Sequence, residues 1–133
     1  MRTFFCLVFD VASFKLPDPA GRAGGALTAC MLNVLYCDHH DTGKDLTFKE
    51  VLFQVRNQLK EKDFEQIPQL SSSRPTNLGE IFTLVPEDFS GTKRAVMIGI
   101  NYVGDDSELR GCQNDCLNVS HSLNIVLARR YRT

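Results

Sequence analysis

The chain has 133 residues, of which 43% are apolar and 23% are charged, and its net charge is −1. This is the length of one small domain, and the apolar share is too high for a disordered tail. The balance of 15 basic and 16 acidic side chains argues against nucleic acid as the main partner, because phosphate binding needs a basic excess. No apolar run approaches the ~18 residues of a membrane span. We therefore expect a soluble chain with neither a nucleic acid nor a membrane as partner.

The five cysteines are an odd number, whereas a secreted disulfide scaffold would favour an even count in a shorter chain. We therefore expect reduced thiols and a cytoplasmic location. At the N-terminus, the apolar block 4–9 is six residues long and ends at Asp10. The apolar core of a secretory signal needs about 7–15 residues, so a buried strand or a mis-started end is favoured over a cleaved signal peptide.

Two helices are predicted after an N-terminal loop. Residues 14–25 are rich in proline and glycine, which is typical of a loop. From Ala26 onward, apolar residues recur at helical spacing, and the stripe consists of Leu27, Cys30, Met31, Val34 and Leu35. Residues 36–46 are a polar loop. The second helix is predicted to begin after Thr47, because Thr47 and Glu50 match a capping box ahead of a long apolar stripe.

Three short apolar segments are candidate strands. Residues 67–70 include a proline and therefore fit only an edge strand, because proline has no amide donor for a ladder. Residues 81–85 are a second candidate, within a segment 76–92 that otherwise has the composition of a linker. Residues 95–100 are a continuous apolar run, which is typical of a strand buried on both faces of a parallel sheet.

A third helix is predicted after a loop at 104–111. Asn114 or Asp115 can cap its N-terminus, and its apolar face consists of Cys116, Val119, Leu123 and either Val126 or Leu127. A strand, a loop and a helix make the first two-thirds of a βαβ unit, so the expected fold class is α/β, with a mostly parallel sheet flanked by helices. The strand 95–100 would have to pair with residues 1–90, with another chain or with sequence outside this chain.

Two stretches of the chain carry a family resemblance. Lys93-Arg-Ala-Val-Met-Ile-Gly-Ile-Asn-Tyr102, followed by Glu108-Leu-Arg-Gly-Cys-Gln-Asn-Asp-Cys-Leu-Asn118, resembles the opening strand and first helix of the large, catalytic subunit region of metacaspases. These are caspase-like cysteine proteases of plants, fungi and protists. Residues 24–28, the helix after Thr47 and residues 67–73 resemble their small-subunit region. The resemblance covers about residues 12–75 and 93–120 and implies a partial caspase-like fold.

The order of the two regions is unusual for that family. In most metacaspases the large-subunit region comes first, whereas here the small-subunit-like region precedes it, which resembles the type III metacaspases of algal lineages. Such permutation is physically permissible when both termini lie at the surface. The resemblance implies a small-subunit-like region at 1–75, a linker at 76–92 and the start of a large-subunit-like region at 93–133.

The catalytic motifs of the family do not occur in this sequence. A cysteine protease needs a thiolate and a histidine that activates it. In metacaspases these lie in a Ser-Gly-His-Gly segment and an Asp-Cys-Cys-His-Ser-Gly segment, and the sequence contains neither. We therefore assign no catalytic residue and expect the chain to be partial and inactive alone. Cys116 and His121 lie five residues apart on one predicted helix, and we interpret them as a core thiol and a helix-surface residue.

Asp115 and Cys112 are the candidate substrate-binding residues. The resemblance implies cleavage after Arg or Lys, and a pocket that holds such a cation needs an acidic group. Asp115 matches an aspartate that lines this specificity pocket in the family, and Cys112 lies beside it. The alternative is that Asp115 only caps its own helix, and one aspartate can do both. The second pocket acid of the family has no good counterpart, because Cys6 and Asp10 lack the right spacing and neighbours.

No metal site is predicted for this chain. Zinc ligation by Cys30, Cys37, His39 and His40 is disfavoured, because Cys30 lies on an apolar helix stripe and no Cys-x-x-Cys pair is present. Asp38, Asp41 and Asp45 do not meet the twelve-position pattern of a calcium loop. The resemblance implies calcium activation only for a full-length member of the family.

Two functions from different classes follow from these observations. The first is that of a partial metacaspase-like cysteine endopeptidase, whose substrates would be peptides or proteins with Arg or Lys at the cleavage site. The second is that of a non-catalytic caspase-like interaction or regulatory module, which would pair the edge of its sheet with a full-length, caspase-like paralogue.

Overall fold

The computed structural model describes residues 24–37, 45–72, 75–85, 89–106 and 108–130. These ranges contain three α-helices. Helix α1 spans Ala26–Leu32 and continues into a π-helical segment at Asn33–Cys37. Helix α2 spans Phe48–Glu61, and helix α3 spans Cys112–Arg130. None of the helices in the described ranges combines the length and the apolar character that a membrane crossing needs.

The core lies between α1 and α2. Ala26, Cys30 and Val34 follow one another at helical spacing and are fully buried, which confirms the helix predicted from Ala26. They pack against Val55 and Leu59 of α2. The other predicted stripe residues of α1 are partly buried against the same cluster: Leu27, Met31 and Leu35. Burial of these side chains is the main stabilising contribution of this half of the molecule.

The N-terminus of α2 has the predicted capping box. The Thr47 hydroxyl accepts a hydrogen bond from the Glu50 amide at 3.2 Å, and the Glu50 carboxylate accepts one from the Thr47 amide at 2.8 Å. The next two amides of the helix, those of Phe48 and Lys49, donate to the carbonyl oxygens of Glu80 and Leu78 at 3.1 and 3.0 Å. All of these N-terminal amides therefore have a partner.

Residues 78–82 lie along the start of α2, although they fall within the predicted linker 76–92. Thr47 and Ile81 form an isolated antiparallel bridge, and the Phe82 amide donates to the Leu46 carbonyl. The rings of Phe48 and Phe82 pack edge to face with their centroids 5.2 Å apart. This bridge is the only β-pairing of the predicted strand 81–85 within the described residues.

The predicted strand 95–100 has no ladder partner among the described residues. Val96 and Ile98 are 86% and 78% exposed, so the prediction that this segment is buried on both faces is wrong for this structure. A strand is buried on both faces only where other elements cover it, and here α3 covers one face alone. The covered face includes Gly99, where a Cβ atom would lie 2.5 Å from the Cys112 carbonyl oxygen. The parallel sheet therefore stays a prediction, as does the edge strand 67–70.

Helix α3 begins earlier than predicted. Its first residue is Cys112, so neither Asn114 nor Asp115 is its N-cap, and that prediction is wrong. The Asp115 amide already donates to the Gly111 carbonyl at 2.9 Å, as in a regular helical turn. The Asn101 side-chain oxygen instead accepts a hydrogen bond from the Gln113 amide at 3.2 Å. Asp115 thus lies within the first turn of α3, and its side chain makes a different contact.

Candidate functional site

The Asp115 carboxylate lies at the N-terminus of α1, at the point where α1 and α3 meet. The Gly25 amide donates to both carboxylate oxygens, at 2.9 Å to Oδ1 and 3.1 Å to Oδ2, and the Thr28 hydroxyl donates a further hydrogen bond. Gly25 has no side chain with which to cap α1. Asp115 thus does not cap its own helix, although the alternative interpretation expected this. It supplies the acceptor for the amide of Gly25, the N-cap residue of another helix, 90 residues away in sequence.

Two glycines permit this contact between α1 and α3. A Cβ atom on Gly111 would lie 3.0 Å from the Gly24 Cα and 3.1 Å from its carbonyl carbon. A Cβ atom on Gly24 would lie 3.3 Å from Oδ1 of Asp115. The backbone of the chain before α1 therefore lies directly against the backbone before α3, and side chains there would hold Asp115 away from Gly25.

Burial raises the pKa of Asp115 above its ordinary value of 3.8. The side chain is 9% exposed, and loss of water penalises the charged form. The hydrogen bonds from Gly25 and Thr28 lower the pKa, because they stabilise the carboxylate, but they do not outweigh the burial. The site thus contains a buried acid that is poorly solvated and held by two donors of α1.

Cys112 is partly buried at the first position of α3. Burial raises the pKa of its thiol above 9.0, and the negative charge of Asp115 raises it further. Cys116 adds a smaller effect in the same direction. The Cys112 thiol is therefore protonated near neutral pH and is a poor nucleophile.

Cys116 and His121 have separate surroundings. The Cys116 sulfur is directed at the predicted strand 95–100, and a Cβ atom on Gly99 would lie 2.8 Å from it. His121 is exposed, as predicted, on the rim of an open depression on α3. The other residues that line this depression are Leu117, Asn118, Ser120 and Asn124. Of the cysteines whose side chains the structure describes, Cys30, Cys112 and Cys116, none lines this depression.

The residues considered for metal binding are only partly within the described ranges. Cys30 is fully buried in the core, and burial raises the pKa of its thiol. Asp45 is exposed. His39, His40, Asp38 and Asp41 lie outside the described residues, as do Cys6 and Asp10, the poor match to the second pocket acid. Across the part of the chain that is described, no group of three or more His, Cys, Asp or Glu side chains is arranged to hold a metal ion.

Sequence reasoning missed Gly25, Thr28 and Asn101 as partners of the site. Residues 24–28 carry part of the family resemblance, but the pattern assigned them no role. One local signal was available: α1 begins after two glycines, so its first amides need an acceptor from elsewhere. The sequence does not indicate which distant side chain supplies it.

Comparisons with known proteins find metacaspases. Residues 93–130 match the family described as metacaspase, peptidase C14 domain. Metacaspase III c of Phaeodactylum tricornutum is 48% identical over 120 residues, which are 90% of this chain and 36% of that relative. Metacaspase-1 of Meyerozyma guilliermondii is 44% identical over 54 residues, 40% of this chain and 13% of the relative.

Metacaspase-3 of Trypanosoma cruzi is 36% identical over 66 residues, which are 50% of this chain and 17% of the relative. No solved structure matches the chain. The chain thus spans about a third of the length of Metacaspase III c and a smaller share of the other two relatives.

Proposed function

This chain belongs to the metacaspase family, and we propose that it forms part of a caspase-like cysteine endopeptidase that hydrolyses peptide bonds after Arg or Lys. Its share of that function is the specificity pocket rather than the catalytic dyad. The observation that supports this most directly is the buried Asp115 carboxylate, held in one orientation by Gly25 and Thr28.

A carboxylate held in this way can still accept a substrate cation. Two carboxylate oxygens offer about four lone-pair positions, and the Gly25 and Thr28 donors use only some of them. An Arg guanidinium or a Lys ammonium would supply charge-assisted hydrogen bonds to the rest. Because Asp115 is poorly solvated, such an ion pair is screened less than one at the surface. Cys112 would line the pocket as a neutral thiol.

We propose that this chain does not hydrolyse peptides on its own. The sequence contains neither of the two segments that carry the family's His and Cys, and the raised pKa of the Cys112 thiol does not suit a nucleophile. A dyad would come from additional metacaspase sequence. Calcium activation would belong to that complete enzyme, and its location is proposed to be cytoplasmic.

A division of the chain into two metacaspase-like regions fits the proposed specificity pocket. We propose that residues 1–75 act as the small-subunit-like region, 76–92 as the connection and 93–133 as the start of the large-subunit-like region. The contact of Gly25 and Thr28 with Asp115 would then join the two regions across the pocket. A match to Metacaspase III c over 90% of the chain includes sequence from both regions.

An assay on an arginine-terminated fluorogenic peptide with calcium tests the absence of hydrolysis. We expect no turnover by the recombinant chain, whereas a dyad-bearing metacaspase in the same buffer should cleave the peptide. Turnover that Cys116→Ala abolishes would overturn the proposal.

Binding of N-acetyl-arginine amide, with the uncharged citrulline amide as the matched control, tests the pocket. Asp115→Asn should weaken arginine binding about tenfold or more, since a hydrogen bond between charged groups is lost.

The second candidate function is that of a non-catalytic module that binds a full-length caspase-like paralogue. It is supported by the predicted strand 95–100, whose apolar residues Val96, Ile98 and Ile100 are exposed. A strand-like segment that has no ladder partner among the described residues is a template for pairing with a strand of another chain. Co-purification with a dyad-bearing metacaspase in a fixed ratio would favour this function, and Val96→Lys should then abolish the binding. A chain that binds no such paralogue contradicts it.

A further inference from the structure

We infer that Thr28 is a positioning residue, whose hydroxyl fixes the orientation of the Asp115 carboxylate for a substrate cation. The inference rests on the proposed function for the cation, but the contact between Thr28 and Asp115 does not depend on it. Thr28 is 2% exposed, and its hydroxyl is therefore shielded from bulk water. Its hydrogen-bond partner on the neighbouring helix is the Asp115 carboxylate.

The Gly25 amide alone does not fix the orientation of the Asp115 carboxylate completely. The Gly25 amide donates to both oxygens of Asp115, at 2.9 and 3.1 Å, and therefore fixes the position of the carboxylate. The carboxylate can still rotate about its last torsion, because an sp³–sp² bond has a broad and shallow profile. A second donor, on a different residue, restricts that rotation.

Thr28 supplies this second donor from the same face of α1. It lies three residues after Gly25, a spacing that places both on one side of a helix. A threonine side chain is stiff about its first torsion, so the hydroxyl has a defined direction. A carboxylate that is already oriented loses less conformational freedom when a cation binds, and binding is tighter for that reason.

The alternative is that Thr28 only fills space between α1 and α3. Valine has nearly the same shape but no hydroxyl, and serine keeps the hydroxyl while losing the methyl group. A space-filling role would therefore make Thr28→Ser the more harmful change. A positioning role makes Thr28→Val the more harmful one for the carboxylate and for cation binding.

The test is a carboxyl-carbon NMR titration of the full chain, with the Asp115 signal assigned by its loss in Asp115→Asn. We expect Thr28→Val to raise the pKa of Asp115, because a hydrogen bond that stabilises the charged form is lost, and Thr28→Ser to restore it. The same samples are titrated with N-acetyl-arginine amide. We expect about two- to tenfold weaker binding in Thr28→Val and recovery in Thr28→Ser.

Equal pKa values for Asp115 in the wild type, Thr28→Val and Thr28→Ser would overturn the inference. If the pKa responds as expected but no form binds the arginine amide, the contact stands and the proposed pocket is wrong, so the two failures are distinguishable. Should Thr28→Val fail to fold by circular dichroism, the hydroxyl proton of Thr28 in the wild type decides. Its signal should be protected from exchange and should titrate with Asp115, and a rapidly exchanging proton would overturn the inference.

Discussion

The first backbone amides of α1 and α2 need hydrogen-bond acceptors, and the two helices obtain them in different ways. The first amides of α2 are capped from nearby sequence, by Thr47 and Glu50 and by the carbonyl oxygens of residues 78 and 80. The N-terminus of α1 begins with glycines and depends on Asp115, a side chain of another helix. A local cap stabilises one helix, whereas a distant cap also joins two regions of the chain. Damage to the two ends should therefore have different consequences.

The largest expected effect is that of Gly111→Ala at the α1 end. The added Cβ atom would lie 3.0–3.3 Å from backbone atoms of Gly24, which cannot rotate away as a side chain can. We expect a loss of about 1–3 kcal/mol in the free energy of unfolding, measured by urea titration, because overpacking of this kind moves the backbone. The Asp115 carboxyl signal should also change in the NMR spectrum, since the carboxylate is drawn away from Gly25.

Gly79→Ala is the matched control for that substitution. Its Cβ atom would also lie 3.3 Å from a neighbour, but that neighbour is the tip of the exposed Asn77 side chain. We expect a change within about 0.5 kcal/mol, as for ordinary surface substitutions. If both glycines respond equally, the close backbone contact between α1 and α3 is not what makes Gly111 necessary.

The next effect in size is that of Thr47→Ala at the α2 end. The Glu50 amide would lose its acceptor, and we expect a loss of about 1 kcal/mol in the free energy of unfolding. Thr47→Ser keeps the hydroxyl and is the control. Unlike Gly111→Ala, neither change should alter the pKa of Asp115, because α2 carries its cap locally. A shift of that pKa in Thr47→Ala would show that the two helix ends are coupled after all.

The same difference explains what the sequence could predict. Thr47 and Glu50 are three residues apart, so the capping box is visible in the sequence, and the structure confirms it. The contact between Gly25 and Asp115 spans 90 residues, and the spacing of residue types carries no information about such a pair. The start of α3 was predicted too late for a related reason, because Asn101 supplies the acceptor from outside the helix. The exposure of Val96 likewise depends on which elements lie beside the strand, and its own sequence cannot reveal that.

The buried cap of α1 should also make stability depend on pH. Because burial raises the pKa of Asp115 above 3.8, the folded chain holds its proton more tightly than the unfolded chain. The stabilisation from this group is complete below pH 3.8 and is lost as the pH rises through the higher pKa of the folded state. The free energy of unfolding of the wild type, minus that of Asp115→Asn, should therefore fall as the pH rises above 3.8. If this difference instead rises as the pH increases above 3.8, burial does not raise the pKa of Asp115.

The smallest expected effect concerns the reactivity of Cys112. It tests whether the Asp115 carboxylate also influences this thiol through its negative charge. The negative charge of Asp115 contributes to the raised pKa of the Cys112 thiol, after burial. Asp115→Asn removes that charge, so more of the thiol should ionise at pH 8 and alkylation by iodoacetamide should be faster. The rate is followed for the Cys112 peptide by mass spectrometry, and the Cys30 peptide provides an internal control, because Asp115 is not among the causes of the Cys30 shift.

Thr28→Val separates this charge effect from a loosened contact between α1 and α3. It removes a hydrogen bond to Asp115 but keeps the carboxyl group, so the Cys112 rate should stay closer to that of the wild type than to that of Asp115→Asn. An equal acceleration in Thr28→Val and Asp115→Asn would mean that exposure, not charge, controls the thiol. The acceleration in Asp115→Asn should shrink in high salt, because added ions screen the interaction that the substitution removes. No comparable effect is expected of Thr47→Ala, because the hydroxyl that this substitution removes carries no charge.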